Sequence, residues 1–255
     1  YIPVILKGSR YAKRLPIGKI DIIKQFSHDQ LKNFYNSWYR PNLMGIIVIG
    51  DIKPSLARKK IEAHFGDFKN PDEGPERHTY DIPDNQTPLV SIVTDEEYTR
   101  NVIQFFIKQD KQHYQTIKDY KKLLLHRLYN RMLGTRFAEI RQKPDAPFIT
   151  AGSRYGSFIS RSKDAYTSFA LAKNNQIAES FRKILVENQR VKKHGFTRGE
   201  LKRAKDWLLT FYRQALKEKD KTPSEQYAAE YKRNFLNGEP IPGIKNEFAY
   251  VQKFN

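Results

Sequence analysis

The sequence predicts an α+β fold, helix layered on sheet, in two units joined by a linker. Three observations predict it. Residues 26–66 read as helix, buried strand, helix. Residues 67–88 lose all periodicity and carry Pro71, Gly74, Pro75, Pro83 and Pro88, the composition of a linker or long loop. Beyond them, short runs rich in Val, Ile and Phe alternate with helical patterns.

Residues 1–25 read as irregular, punctuated by Gly8, Pro16 and Gly18. The first helix then places Leu31, Phe34, Tyr35 and Trp38 on one face, the i, i+3, i+4, i+7 spacing of an amphipathic helix. Ser27 and Gln30 form a capping box, and Phe26 can staple to Leu31. Pro41 stops the helix, because it lacks an N–H and biases Arg40 away from helical angles. Leu43 to Ile49 is a nearly unbroken apolar run, the mark of a strand buried on both faces. Gly50-Asp51 closes it, Pro54 opens a second helix and Gly66 fits just past its end.

After the linker, Leu89–Val93 and Asn101–Lys108 are strand candidates. Asp95-Glu96-Glu97 between them could hold a metal but reads as a hairpin turn. A long helix runs from about Tyr114 through the 130s. Ile117, Tyr120, Leu124, Leu128, Met132 and Leu133 trace its buried stripe, with His126 packed or partly exposed among leucines. Phe148–Ser160 and Ala165–Lys173 read as a hairpin. The small residues Ala151-Gly152-Ser153 and Gly156-Ser157 mark a bend or a close backbone approach. Ile177, Phe181, Ile184 and Leu185 mark the next helix, ended by Gly195. Phe196-Thr197 with Glu200 repeats the staple and box, before a helix expected to bury Leu201, Ala204, Leu208, Phe211 and Ala215. Thr222-Pro223-Ser224-Glu225 reads as cap, first-turn proline and box glutamate. Tyr227, Tyr231 and Phe235 line the inner face of that helix, and Gly238 closes it. One more element begins between Pro240 and Asn255.

The totals exclude several classes. With 255 residues and no cysteine, disulfides, thiolate zinc sites and cysteine nucleophiles are out. No run approaches the roughly 20 apolar residues of a membrane span, and the first residues lack a signal-peptide pattern. The chain carries 46 basic and 28 acidic residues, a formal charge of +18. Such a field can attract nucleic acid, an anionic membrane or acidic peptides. Because Lys and Arg alternate with acids, the plainer reading is a solvated basic surface. Aromatic residues are 13% of the chain and sit at helical spacing, as core. Tyr155 and Tyr166 are the one pair that could stack on bases.

The stretch Phe34-Tyr35, Trp38-Tyr39-Arg40-Pro41-Asn42, the apolar run into Gly50-Asp51, and the helix ending His64-Phe65-Gly66 closely resemble the insulinase, or pitrilysin, family of zinc metallopeptidases. These are the inverted zincins, with a His-x-x-Glu-His metal motif. Leu133-Gly134-Thr135-Arg136-Phe137-Ala138-Glu139-Ile140-Arg141 and Thr197-Arg198-Gly199-Glu200-Leu201 with Ala204-Lys205 support the resemblance. Tyr11, Arg14, Pro16, Ile17 and Gly18 match a further family segment, although Ser9-Arg10 stands where the family often has His-Pro. The glycine run of the family is here Gly134 alone.

The histidines are His28, His64, His78, His113, His126 and His194. No two are four apart, and none carries the glutamate of a zincin motif. The chain also lacks a Gly-x-Ser-x-Gly elbow, a phosphate-binding loop and a dinucleotide fingerprint. No catalytic, metal-binding or substrate-binding residue is assigned. The resemblance accounts for this, because the family's metal ligands precede the Tyr-Arg-Pro helix. It implies that residues 1–70 are the C-terminal part of a first, zinc-bearing α/β domain. Residues 71–88 are then a linker, and 89–255 a second α/β domain truncated at its C-terminal end.

The expected whole is a zinc metalloendopeptidase that hydrolyses peptides in a chamber, its motif glutamate activating zinc-bound water. This piece, opening at Tyr1 without Met, would be scaffold and chamber wall, inactive alone and binding no zinc itself. Its partners would be peptide substrates and the remaining domains or a sister subunit, with no specific nucleic acid and no membrane span. An extracytoplasmic location, periplasmic or secreted, fits the resemblance. Two alternatives stay open: a non-catalytic subunit or paralogue of the same fold serving an active zinc peptidase, and a basic nucleic-acid-binding module.

Overall fold

The computed structural model describes residues 1–71 and 73–254; Asp72 of the expected linker and the terminal Asn255 lie outside them. The chain divides into two compact units. One comprises Tyr1–Ser9, Asp81–Lys219 and the stretch from Pro242 onward, and the other comprises Arg10–Tyr80 and Asp220–Ile241. Segment 220–241 therefore clusters with residues that lie far before it in sequence.

The larger unit is a two-layer arrangement around a three-stranded antiparallel sheet. Helix α1 spans Ile2–Ile5. The strands are β1 (Asn101–Asp110), β2 (Phe148–Ser157) and β3 (Lys163–Ala172), in the order β1-β3-β2. Pairings such as Phe105 with Ser168 and Tyr155 with Tyr166 fix the register. Gly152 on β2 lies so close to Phe169 that a Cβ there would sit 3.0 Å from the ring. This is the close approach that the small residues announce.

In the same unit, α5 runs from Ile117 to Arg141 behind a capping box of Thr116 and Asp119. It buries two stripes. Leu124, Leu128 and Met132 meet Ala204, Leu208 and Tyr212 of α7 (Arg198–Lys217) and Val251 of α9 (Ile244–Phe254). Leu133 and Phe137 meet Phe148, Ala170 and the inner residues Ile184 and Val191 of α6 (Ile177–His194). A helix buried on two sides loses the single-stripe signature, and Ile117, read as part of one stripe, is exposed.

The inner faces of α6 and α7 also differ from their expected ones. On α6 the buried set is Ser180, Ile184, Glu187 and Val191, while Ile177 and Phe181 are exposed. Ser180 donates to the Pro147 carbonyl at 3.0 Å and Glu187 meets a cation, so polar partners set that face. On α7 the i, i+4, i+8 residues Ala204, Leu208 and Tyr212 are buried. Phe211 and Leu201 consequently point outward.

A largely buried ion-pair fork joins α5, α6 and α7. Arg136 donates through Nη1 to Glu187 Oε1 at 3.0 Å. Its Nη2 reaches Glu200 Oε2 at 2.9 Å and the Gly195 carbonyl at 3.0 Å, and its Nε reaches Glu200 Oε1. Glu200 is also the box residue of α7, accepting from the Thr197 backbone N–H at 2.7 Å. Gly195 turns the chain between the helices at φ 66°.

In the smaller unit, α2 spans Ile20–Gln25, α3 His28–Trp38, α4 Pro54–Phe65 and α8 Ser224–Asn237. The first 25 residues are thus partly helical, and Asp21 and Lys24 stand at the dipole-favoured ends of α2. The Ser27–Gln30 capping box is present, and Pro54 opens α4. Arg40, buried, donates to the Pro75 carbonyl at 2.7 Å. Its guanidinium fills the space a Cβ at Gly74 would need, 1.8 Å from Nη1.

Three expectations fail in this unit or beside its sequence. Leu43–Ile49 forms no strand: Leu43 ends a 3-10 turn, and Ile46 and Val48 are each 47% exposed. Leu89–Val93, in the larger unit, is likewise unpaired, with Ile92 86% exposed. The reason is common to both, since a strand needs a ladder partner for its N–H and C=O groups and no described segment supplies one. Helix α8 begins at Ser224 with Pro223 as its N-cap, because Pro223 keeps ψ near 143° and leaves Thr222 too far back to cap. Tyr227, Tyr231 and Phe235 remain well exposed on it, although Phe235 lies against Gly45, at 3.1 Å from a Cβ built there.

The ion-pair fork makes the first prediction. Arg136→Met leaves the buried Glu187 with only the longer contact to Arg190 at 3.6 Å and the partly buried Glu200 with only its Thr197 donors, and it lowers unfolding free energy by about 1.5–3 kcal/mol, read from urea denaturation. Arg136 holds Glu200 at a pKa of about 2 against an ordinary 4.5. The stability this contributes is complete above pH 4.5 and lost as pH falls toward 2. The variant loses that acid-sensitive component.

Candidate functional site

The histidines are dispersed over the described chain. His28 opens α3, His64 closes α4, His78 and His113 lie in loops, His126 is inside α5 and His194 ends α6. Among the described residues no group of three or more His, Asp or Glu could hold a metal ion. Asp95-Glu96-Glu97 makes a turn, with Asp95 Oδ1 accepting from the Glu97 backbone N–H at 2.9 Å.

The densest polar cluster was not legible in the sequence, because four separate segments build it. Asp164, the second residue of β3, is buried, with a side-chain exposure of 4%. It accepts from Lys111 Nζ at 2.7 Å, from the Gln112 backbone N–H at 3.0 Å and from the Tyr155 hydroxyl at 3.1 Å. Burial first, then the Asp164 charge, pushes the Tyr155 hydroxyl above its ordinary pKa. The Tyr155 ring lies 4.2 Å from that of His126, and Tyr114 Oη is 3.3 Å from His126 Nδ1. Asp164 is fully supplied with donors, so this cluster fastens the loop before α5 to the sheet end. It exposes no nucleophile or general base.

Tyr155 and Tyr166 do not form an exposed stacking pair. Both face the helices: Tyr155 against His126, and Tyr166 within reach of Tyr129 at 3.3 Å and donating to Asn188. Ser153 and Ser168 share a hydrogen bond of 2.6 Å and meet the Asn188 amide, so the polar groups under the helices are satisfied.

The accessible features are apolar surfaces. The sheet face turned away from α5 and α6 carries Val102 and Phe106 of β1, Phe169 and Leu171 of β3, and Gly152 and Arg154 of β2. Segment 81–84 is pinned at one end of this face, where Lys163 meets Asp84 at 3.3 Å and Asp110 at 3.0 Å. In the smaller unit an open recess of about 560 Å³ lies between Val48–Ile52 and α4, lined by Ile49, Pro54, Ala57 and Ile61.

Comparison with known proteins gives the class. Residues 25–208 match the family model of the peptidase M16 inactive domain, and the chain belongs to that family. A "Zinc protease PQQL-like" of Arabidopsis thaliana is 25% identical over 251 residues, covering 98% of this chain and 23% of that protein. The first half of the periplasmic protease PqqL from Escherichia coli superimposes with a TM-score of 0.87 at 19% identity, over 99% of this chain and 54% of that one. The ferredoxin protease FusC, solved in complex with Arabidopsis ferredoxin, superimposes with a TM-score of 0.74 at 20% identity, over 99% of this chain and 28% of that one. The fold is that of insulinase-family proteases. The chain spans about a quarter of the length of the curated relatives it matches, and no described helix is long and apolar enough to cross a membrane.

The second prediction concerns His126. Desolvation, opposed by Asp164 and reinforced by Lys122, lowers its pKa from the ordinary 6.5. The stability from burying the neutral ring is full above pH 6.5 and lost as pH falls through the lowered midpoint. Proton NMR should place that midpoint below 6.5, and Asp164→Asn should lower it further.

Proposed function

We propose that this chain is scaffold and chamber wall of a zinc metalloendopeptidase, acting within a longer polypeptide. The match of residues 25–208 to the peptidase M16 inactive domain carries the reading, and the absence of a His-x-x-Glu-His motif from the sequence agrees with it. Residues 1–70 are the end of a first, zinc-bearing α/β domain, 71–88 the linker and 89–255 most of a second. The open sheet face, with its exposed Arg154, serves as wall toward peptide substrates. Zinc belongs to the longer polypeptide, and an extracytoplasmic location follows the PqqL likeness.

A second reading has one observation in its favour, the inactive character of the matched domain. In it, the chain belongs to a non-catalytic subunit that serves an active zinc peptidase.

The test is metal analysis and peptidase assay of the 255-residue chain beside the longer polypeptide. The chain alone should hold no stoichiometric zinc and cleave nothing, while the longer protein should lose activity to a chelator. One tightly held zinc per chain overturns the proposal. A longer protein that is inactive until a sister subunit is added selects the second reading. A cleavage survey adds a fourth prediction: the longer enzyme prefers acidic or neutral peptides, and Arg154→Glu reduces turnover of acidic ones by about three- to tenfold through loss of local attraction. Preference for strongly basic peptides excludes the charged-wall idea.

A further inference from the structure

Helix α7 carries an aromatic pair on its outward side that its own unit leaves uncovered. Trp207 is 40% and Phe211 53% exposed, and their rings stack at 5.9 Å between centroids, 23° apart in plane. The guanidinium of Arg131, from α5, lies over the Trp207 ring at 4.7 Å. Arg203, one turn before Trp207, is exposed beside them. Neither Arg131 nor Arg203 meets a carboxylate among the described residues. Between them opens a recess of about 100 Å³, lined by Arg131, Met132, Thr135, Glu200, Arg203 and Ala204. Its one carboxylate, Glu200, is already taken by Arg136 and Thr197.

Each feature indicates a polypeptide partner of particular chemistry. Exposed Trp and Arg are the residue types that carry most binding energy at protein interfaces. The recess is smaller than the ~150 Å³ apolar cavity that holds benzene, which suits one aliphatic side chain. Two arginines without acid partners present forked donors for carboxylates. Their exposure adds steering for a partner that arrives by diffusion. Nucleic acid fits less well, because a base needs a free aromatic face. Here Arg131 lies over Trp207, and Trp207 and Phe211 lie on each other.

We infer that the Arg131–Arg203–Trp207–Phe211 surface docks an acidic segment of a separate protein, carboxylates on the arginines and one aliphatic side chain in the recess. This surface is independent of the peptidase reading.

Trp38 and Trp207 are the two tryptophans of the chain, so Trp38→Phe leaves Trp207 as sole fluorescent reporter. The probe is a synthetic glutamate-rich peptide with a central leucine. The inference expects a saturable change in Trp207 emission. The affinity should fall at least tenfold in Arg131→Glu/Arg203→Glu, and severalfold in Phe211→Ser, which keeps the charge. The same charge change placed on α6, Lys192→Glu/Lys193→Glu, should move it less than twofold. No saturable change overturns the inference. Equal weakening by both charge reversals also overturns it, since net charge alone would then explain binding. Tighter binding of a single-stranded oligonucleotide of equal charge assigns the surface to nucleic acid and overturns it too.

Discussion

Arg136 stands where three helices meet, and its guanidinium has no slack. One nitrogen serves α6 through Glu187, two serve α7 through Glu200, and the bond to the Gly195 carbonyl holds the turn between them. Charges this far from water gain only if every donor and acceptor is met, and here the fork geometry of arginine meets them. The consequence is rotational. Helix α5 has apolar residues on two sides, one for the sheet and one for α7 and α9. Hydrophobic contact alone tolerates a turned helix, whereas a bidentate pair to Glu200 does not. Glu200 also caps α7, so the start of that helix and the rotation of α5 are fixed by one carboxylate.

A second constraint is visible in what stays uncovered. Apolar side chains such as Ile46, Val48, Val90 and Ile92 are exposed to differing degrees, so each forgoes part of the about 1.5–3 kcal/mol that full burial contributes. They fall in two short runs, Leu43–Ile49 and Leu89–Val93, which join no ladder. Isolated exposed hydrophobes are ordinary, but contiguous ones mark interfaces. Both runs also flank elements that are well formed, α4 after the first and β1 after the second. The apolar pattern of these runs reads as buried strand in the sequence, while in the structure their side chains are exposed and their backbones join no ladder.

What the sequence disclosed follows the range of the interaction. The capping boxes at Ser27, Thr116 and Thr197 span four residues; those at Ser27 and Thr197 were readable. The β2–β3 hairpin and the Gly195 stop are equally local. Helix faces were harder. Phe211 and Tyr212 are adjacent aromatics, and only the positions of α5 and α9 decide that Tyr212 is the buried one. Polar partners were invisible, because Asp164 gathers Lys111, Gln112 and Tyr155 from distant positions. Arg136 lay in a stretch singled out for its family likeness, yet its role depends on Glu187 and Glu200, some fifty and sixty residues on. A glutamate at the third position of a capping box was the available signal that this carboxylate is fixed in place. The family likeness itself rested on short exact stretches, and those survive even where the surrounding strand does not form.

The charge of +18 is not one property but several. Part of it is taken up internally: Lys163 is buried and Arg136 largely buried, each against acids. Part is paired on helix surfaces, as Arg58 with Glu62 and Lys202 with Asp206, pairs worth little but locally neutral. What remains is unevenly placed, and on α5 and α7 it gathers beside exposed aromatic rings. A uniform basic coat would attract any polyanion and distinguish none. A cation set against an aromatic ring and a small recess discriminates by shape as well as sign, so net charge alone is the wrong quantity from which to read a partner for this chain.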